Sequence, residues 1–214
     1  MNKKLLKVIL ILILYNIIKG LLYFITKLTP LSAHLIGSSF DKETPLYTFF
    51  VWFYVIWYLV LIIVPLILYL KDRDIFYKYL TLDIICLIFD LSIYIIYPTI
   101  IERPVINGNG ISDLLLKLIY FCDTPACNCL PSEHCAWCFI FMYVFSISKN
   151  IDVKYKIINI ILNILIILST LFIHQHVIYD VIAAFIIVII SIIINKIFNI
   201  EYKVENKFKI KLQE

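Results

Sequence analysis

Long apolar runs decide what this sequence can fold into. Residues 46–70 contain no charged side chain at all, and 177–198 hold only Asp180 and Lys196. A helix rises 1.5 Å per residue, so about 20 such residues cross a hydrocarbon core roughly 30 Å thick. Six segments reach or approach that length: 5–27, 46–70, 75–97, 132–148, 157–174 and 177–198, the fourth and fifth being the shortest. With 63% hydrophobic residues in a 214-residue chain, a soluble domain could not keep its surface wet. The expected fold is all-α, a polytopic bundle of six transmembrane helices forming one unit over 1–198, followed by a charged cytoplasmic tail over 199–214. Pro65 is expected to kink the second span. The basic start and the apolar run to about Ile25 lack a small-x-small cleavage signature and read as a retained first span, with Lys19 snorkelling to the interface.

The net charge of +4 does not indicate nucleic acid, because the basic residues are spread over loops and tail instead of one basic face. They do report orientation. With the N-terminus in the cytoplasm, fourteen of the nineteen basic residues fall on that side: those at 3, 4 and 7, at 71, 73 and 78, at 149, 154 and 156, and at 196 and in the tail. Loops 28–45 and 98–131 and the turn at 174–176 then face outward. The wealth of Ile, Lys, Asn and Tyr points to an AT-rich bacterial genome, and so to a bacterial plasma membrane.

This topology brings His134, opening the fourth span, and His176, opening the sixth, to the same outer face. His176 and Asp180 are spaced i, i+4 on one helix face, where the carboxylate fixes the imidazole tautomer. An ionisable group inside a span marks function, or else a polar pair joining helices. In Pro131-Ser132-Glu133-His134, Ser132 reads as a helix N-cap, whose free N–H groups and dipole suit an anion. Arg103, in Glu102-Arg103-Pro104, is one of two arginines and the only one outside; its fork matches phosphate oxygens.

In order and spacing these elements resemble the type-2 phosphatidic acid phosphatase superfamily, known by K-x6-R-P, P-S-G-H and S-R-x5-H-x3-D. Here they stand as Arg103-Pro104, Pro131 to His134, and Ser169-Thr170 followed by His176 and Asp180. The run from Asp123-Thr124-Pro125 through Asn128 to Pro131-Ser132 is similar to a bacterial subgroup that also resembles sphingolipid headgroup transferases. The chain departs from the pattern at Ile96 for the lysine, Thr170 for the arginine and Glu133 for the glycine, leaving His174, Gln175 or Lys117 to compensate.

The resemblance implies that His176 attacks phosphorus, with Asp180 orienting it. His134 serves as acid and then base, and Arg103, Ser132 and the backbone at Glu133 hold the phosphate. Asp123, Asn128, His174 and Gln175 are candidate substrate contacts. It implies a lipid phosphate as substrate, membrane lipids as surroundings, and neither metal nor other cofactor. Five of six cysteines lie between 122 and 138, and Cys135-x-x-Cys138 has a metal-ligand spacing. On an apolar helix these two read more simply as small hydrophobes, while outer-loop thiols could pair as disulfides. Rival readings are a headgroup transferase, a non-catalytic lipid carrier, channel or scaffold, and a metalloprotein built on the cysteines. The loop around His34, Asp41, Lys42 and Glu43 reads either as a shaper of the site entrance or, more simply, as a solvated connector.

Overall fold

The computed structural model describes residues 3–28 and 33–213; of the expected outer loop 28–45, positions 29–32 lie outside the described residues. Long helices account for most of it: α1 (Lys3–Lys27), α3 (Val51–Lys71), α4 (Arg73–Ile96), α6 (Glu133–Ile147), α7 (Val153–Phe172), α8 (Ile178–Phe198) and α9 (Ile200–Gln213). Two shorter helices, α2 (Ser39–Glu43) and α5 (Ile111–Cys122), lie in the loops, with two-residue strands β1 (His34–Leu35) and β2 (Thr99–Ile100). Five helices are long and apolar enough to cross a membrane, so the chain is an all-α membrane bundle. Helix α3 continues through Pro65.

The expected span 132–148 is the exception. Helix α6 has 15 residues, about 22 Å of rise, short of a hydrocarbon core. It tolerates this because it sits in the middle of the bundle, packed on α4, α7 and α8. Cys135, Ala136, Cys138, Ile140, Phe141 and Val144 have no exposed surface. A helix clad in protein need not match the lipid thickness. The outer helices instead turn large apolar side chains outward, such as Leu14, Ile88 and Ile197, an arrangement that suits lipid and would aggregate in water.

One end of the bundle gathers the loops that hold the residues singled out in the sequence. There Lys27 of α1 meets the loop after α5, the amide of Ser132 donates to the carbonyl of Asp180 at 3.2 Å, and Tyr47 N–H reaches Phe172 at the end of α7. Strands β1 and β2 pair in parallel, His34 opposite Thr99, and Ile100 bridges to Cys127. This small ladder ties together the loops that carry Arg103 and Asp123. The loop expected to be a mere connector is also latched down: Asp41 Oδ1 accepts the amide of Ile178 at 2.8 Å, at the start of α8. At the other end Asp72 accepts from Ser148 at 2.6 Å. The tail is no loose extension: α9 packs on α4 and α8, held by Lys78–Glu201 at 3.4 Å.

Lys19 does not snorkel. It is 3% exposed, with its ammonium 2.7 Å from Asp83 and 2.9 Å from Glu133. Two carboxylates within the bundle outbid the interface, because attraction between opposite charges grows as the dielectric falls. Tyr15 and the indole N–H of Trp137 also donate to Asp83.

Candidate active site

Ser132 ends the outer loop and caps α6, its hydroxyl accepting the amide of Cys135 at 3.2 Å. That cap sets His134 in the first turn of α6. His176 sits in the turn before α8, where Asp180 Oδ2 accepts both its Nδ1–H at 3.1 Å and the amide of Val177 at 3.0 Å. One carboxylate therefore holds both the start of the helix and the ring, and with the proton on Nδ1 the ring turns its Nε2 lone pair toward His134. That Nε2 lies 3.3 Å from Nδ1 of His134. The His134 ring is gripped by Tyr54 and Trp57 of α3, at centroid distances of 4.7 and 4.0 Å, and its Nε2 is buried with no partner among the described residues.

A cavity of about 360 Å³ opens beside the pair, walled by Tyr23, Tyr54, Trp57, Tyr58 and Tyr94 with Asp123, Asn128, Glu133 and Gln175. A second, more polar hollow of about 500 Å³ meets it at His176 and includes Arg103, Glu102, Asp41, Lys42 and His174. His176 stands at the junction of an aromatic chamber and a charged one.

Arg103 approaches through its neighbours. Its Nη2 donates to Asp123 at 2.5 Å and to Gln175 Oε1 at 2.7 Å, its Nη1 to the Asp123 carbonyl at 3.2 Å, and the guanidinium lies over the ring of Tyr120. Its Nε is buried and unpartnered among the described residues. Asp123 bridges two cations, because Lys27 also bonds its carboxylate and adds the Pro125 carbonyl at 3.1 Å. Asn128, with φ of +56°, donates to Thr26 at 3.1 Å.

The remaining candidates fall differently. Ser132 has no exposed surface and is absent from the walls of both hollows, so its observed role is the cap. Glu133 is paired with Lys19 at 2.9 Å, an ammonium it shares with Asp83. His174, in the turn beyond α7, bonds the Thr44 carbonyl at 3.1 Å. Burial holds it below the usual imidazole range, so it supplies no cation in place of Thr170. Lys117 is turned to Gly108 and Asn109. Ile96 is 80% exposed, and Thr170 is fully buried, its hydroxyl bonded to the Ile167 carbonyl.

Tyr54, Trp57, Lys19 and Lys27 went unmarked as site residues in the sequence. The two lysines stand out in the sequence only as charges at the end or in the interior of an apolar run, a position that snorkelling explains as well as a buried partner does. The two aromatics carried none, being ordinary members of an aromatic-rich span. Of the cysteines, Cys135 and Cys138 lie in the core, and all six are free thiols. Another donor group does converge: Cys129, His176 and Asp180 offer ligand atoms within 4.8 Å of one another.

Comparison with known families matches residues 108–201 to the PAP2 superfamily. The match spans α5 to α8, including both histidines and Asp180, and begins just after Arg103-Pro104. No curated protein and no solved structure matches the chain.

Proposed function

Starting from a PAP2 superfamily segment over residues 108–201, in a superfamily of phosphatases and related phosphoesterases, we propose that this membrane protein hydrolyses a lipid phosphate ester through a phosphohistidine. The observation that carries the reading is the relay Asp180–His176–His134, with contacts of 3.1 and 3.3 Å. Asp180 keeps the proton on Nδ1 of His176, so Nε2 bears the attacking pair and the imidazolium that develops is balanced by charge. As the N–P bond forms, the P–O bond to the lipid breaks, and His134 delivers a proton to the departing oxygen. His134 then takes a proton from water as its oxygen attacks phosphorus and the N–P bond breaks, releasing phosphate. Arg103, through its uncommitted N–H groups, and the backbone amides opening α6 are the donors proposed for the equatorial oxygens. Gln175 positions Arg103 directly, and Lys27 does so by way of Asp123.

The fit of a lipid follows from the two hollows. The aromatic chamber takes apolar substance and the charged one the phosphate, with His176 between them. Under the orientation given by the basic residues, this end faces the exterior of a bacterial plasma membrane.

The test is phosphate release by the purified full chain in liposomes. The panel comprises lipid monophosphates, a polyprenyl pyrophosphate, and phospholipids with and without an alcohol acceptor. Release that disappears in His134→Ala and His176→Ala supports the reading. Undiminished turnover in His176→Ala ends it, and acceptor-dependent transfer without phosphate release moves the activity to a headgroup transferase.

A further inference from the structure

The histidine that faces the lipid phosphate has a thiol for a neighbour. Cys129, in the loop before α6, is 2% exposed. Its sulfur, a nitrogen of His176 and an oxygen of Asp180 lie within 4.8 Å of one another, and all three side chains are buried. Asp180 spends Oδ2 on His176 and Val177, yet its Oδ1 is buried with no hydrogen-bond partner among the described residues. A carboxylate oxygen in that condition is costly and calls for an explanation. Thiolate, imidazole and carboxylate together are a zinc donor set, and three protein ligands leave one position open.

We propose that Cys129, His176 and Asp180 form a binding site for a thiophilic divalent cation of the zinc type, and that its occupation switches the enzyme off. Zinc–sulfur and zinc–nitrogen bond lengths set neighbouring donors about 3.5 Å apart; the imidazole and carboxylate already stand at 3.1 Å, and all three donors lie within 4.8 Å. The Cys129 thiol releases its proton; one thiolate and one carboxylate then balance the dication, and the buried site passes from one negative charge to none. None of the three motifs described above places a thiol at Cys129.

The inhibitory half rests on His176 being the nucleophile. Metal at Nε2 takes the attacking pair directly. Metal at Nδ1 forces the ring's remaining proton onto Nε2, with the same result. Either way phosphorus meets no lone pair.

Binding is tested apart from activity. The metal-stripped full chain in detergent is titrated with Co²⁺, whose thiolate-to-metal charge-transfer band reports sulfur ligation. One equivalent, displaced by Zn²⁺ and lost in Cys129→Ser and in Asp180→Asn, is expected. Absence of the band, or its persistence unchanged in Cys129→Ser, overturns the site. Should Cys129→Ser fail to fold, as judged by circular dichroism and gel filtration, Asp180→Asn and X-ray absorption at the zinc edge of the loaded wild type decide for or against sulfur with nitrogen ligation. In liposomes Zn²⁺ then suppresses phosphate release by the wild type, while Cys129→Ser, referred to its own metal-free rate, resists it. Equal suppression of both overturns the inhibitory role. A chain that turns over no lipid phosphate but shows the cobalt band retains the site and loses the enzymatic reading instead.

Discussion

The Nδ1 of His134 and the Nε2 of His176 stand 3.3 Å apart, each ring held from behind: the first by Tyr54 and Trp57, the second by Asp180. A phosphorus atom poised for attack needs about 3–3.5 Å from Nε2, and no such space exists between two rings in direct contact. On the proposed mechanism the phosphate parts them. A structure with vanadate bound is expected to show the two nitrogens beyond hydrogen-bonding distance, with an oxygen of the anion between them. Rings still bonded to each other in a complex whose vanadium sits on His176 would remove His134 from the proton path.

Proton delivery by His134 predicts a dependence on the leaving group. General acid catalysis contributes about 10²–10⁴-fold when the departing oxygen is a poor leaving group, and little when it is a good one. His134→Ala should therefore lose most of its rate on a lipid alkyl phosphate but far less of its first step on an aryl phosphate such as p-nitrophenyl phosphate. With no base left to activate water, phosphohistidine should build up in this variant. A burst of p-nitrophenol and acid-labile phosphate on the protein are the readouts; an equal loss on both substrates contradicts the assignment.

The buried cluster of Lys19, Asp83 and Glu133 predicts an asymmetry in stability. Lys19→Met strands two carboxylates inside the bundle, and breaking a buried pair in this way costs about 3–5 kcal/mol. Glu133→Gln removes one charge but leaves Lys19 on Asp83, 2.7 Å away, and should cost much less. Unfolding in bicelles, followed by thermal scan, separates the two variants. Equal stability would mean that the ammonium does not hold this cluster together.

Much of this site was legible in one dimension because the spans alternate direction. Counting them puts His134 and His176 at the same end, and the i, i+4 spacing hands Asp180 to His176 without any coordinates. Ser132 as a cap followed from its place before an apolar run. The cations resisted such reading. Lys19 and Lys27 looked like residues of topology or interface, because nothing local distinguishes a snorkelling lysine from one whose partner lies 64 or 96 residues away. The short span 132–148 was legible only as an apolar segment. That it is a central helix clad by α4, α7 and α8 is a property of packing, which periodicity does not encode. The same holds for Asp41, whose role as a partner to the first amide of α8 depends on the loop folding back.

The cysteines offer a test of the outer loop. Cys122 ends α5 and is exposed, whereas Cys127 and Cys129 are buried, and burial pushes both of their thiols upward. The thiolate is the form that reacts, so a raised thiol is slowed at neutral pH twice over, by access and by protonation. In intact cells a membrane-impermeant maleimide is expected to label Cys122 promptly and to leave Cys127 and Cys129 for denaturant. Protection of Cys122 until the membrane is permeabilised would turn the bundle around.

The last expectation concerns what Arg103 is doing while no substrate is present. Both protons of its Nη2 are committed, one to Asp123 and one to Gln175, and Asp123 is shared with Lys27. Two cations and one carboxylate leave that corner with one net positive charge, which a phosphate must share with Asp123. Removing the guanidinium deletes charge-assisted hydrogen bonds, each about 1.5–3 kcal/mol, and should weaken vanadate inhibition by roughly ten- to a hundredfold. Removing only the carboxylate charge, in Asp123→Asn, keeps a hydrogen-bond acceptor for Arg103 while doubling the net charge. Vanadate should then bind more tightly, and product phosphate should inhibit at lower concentration. Inhibition constants for the two variants, measured against the same substrate, are expected to move in opposite directions. If Asp123→Asn weakens vanadate as Arg103→Ala does, the carboxylate acts by aiming the guanidinium at the phosphate instead of competing with it.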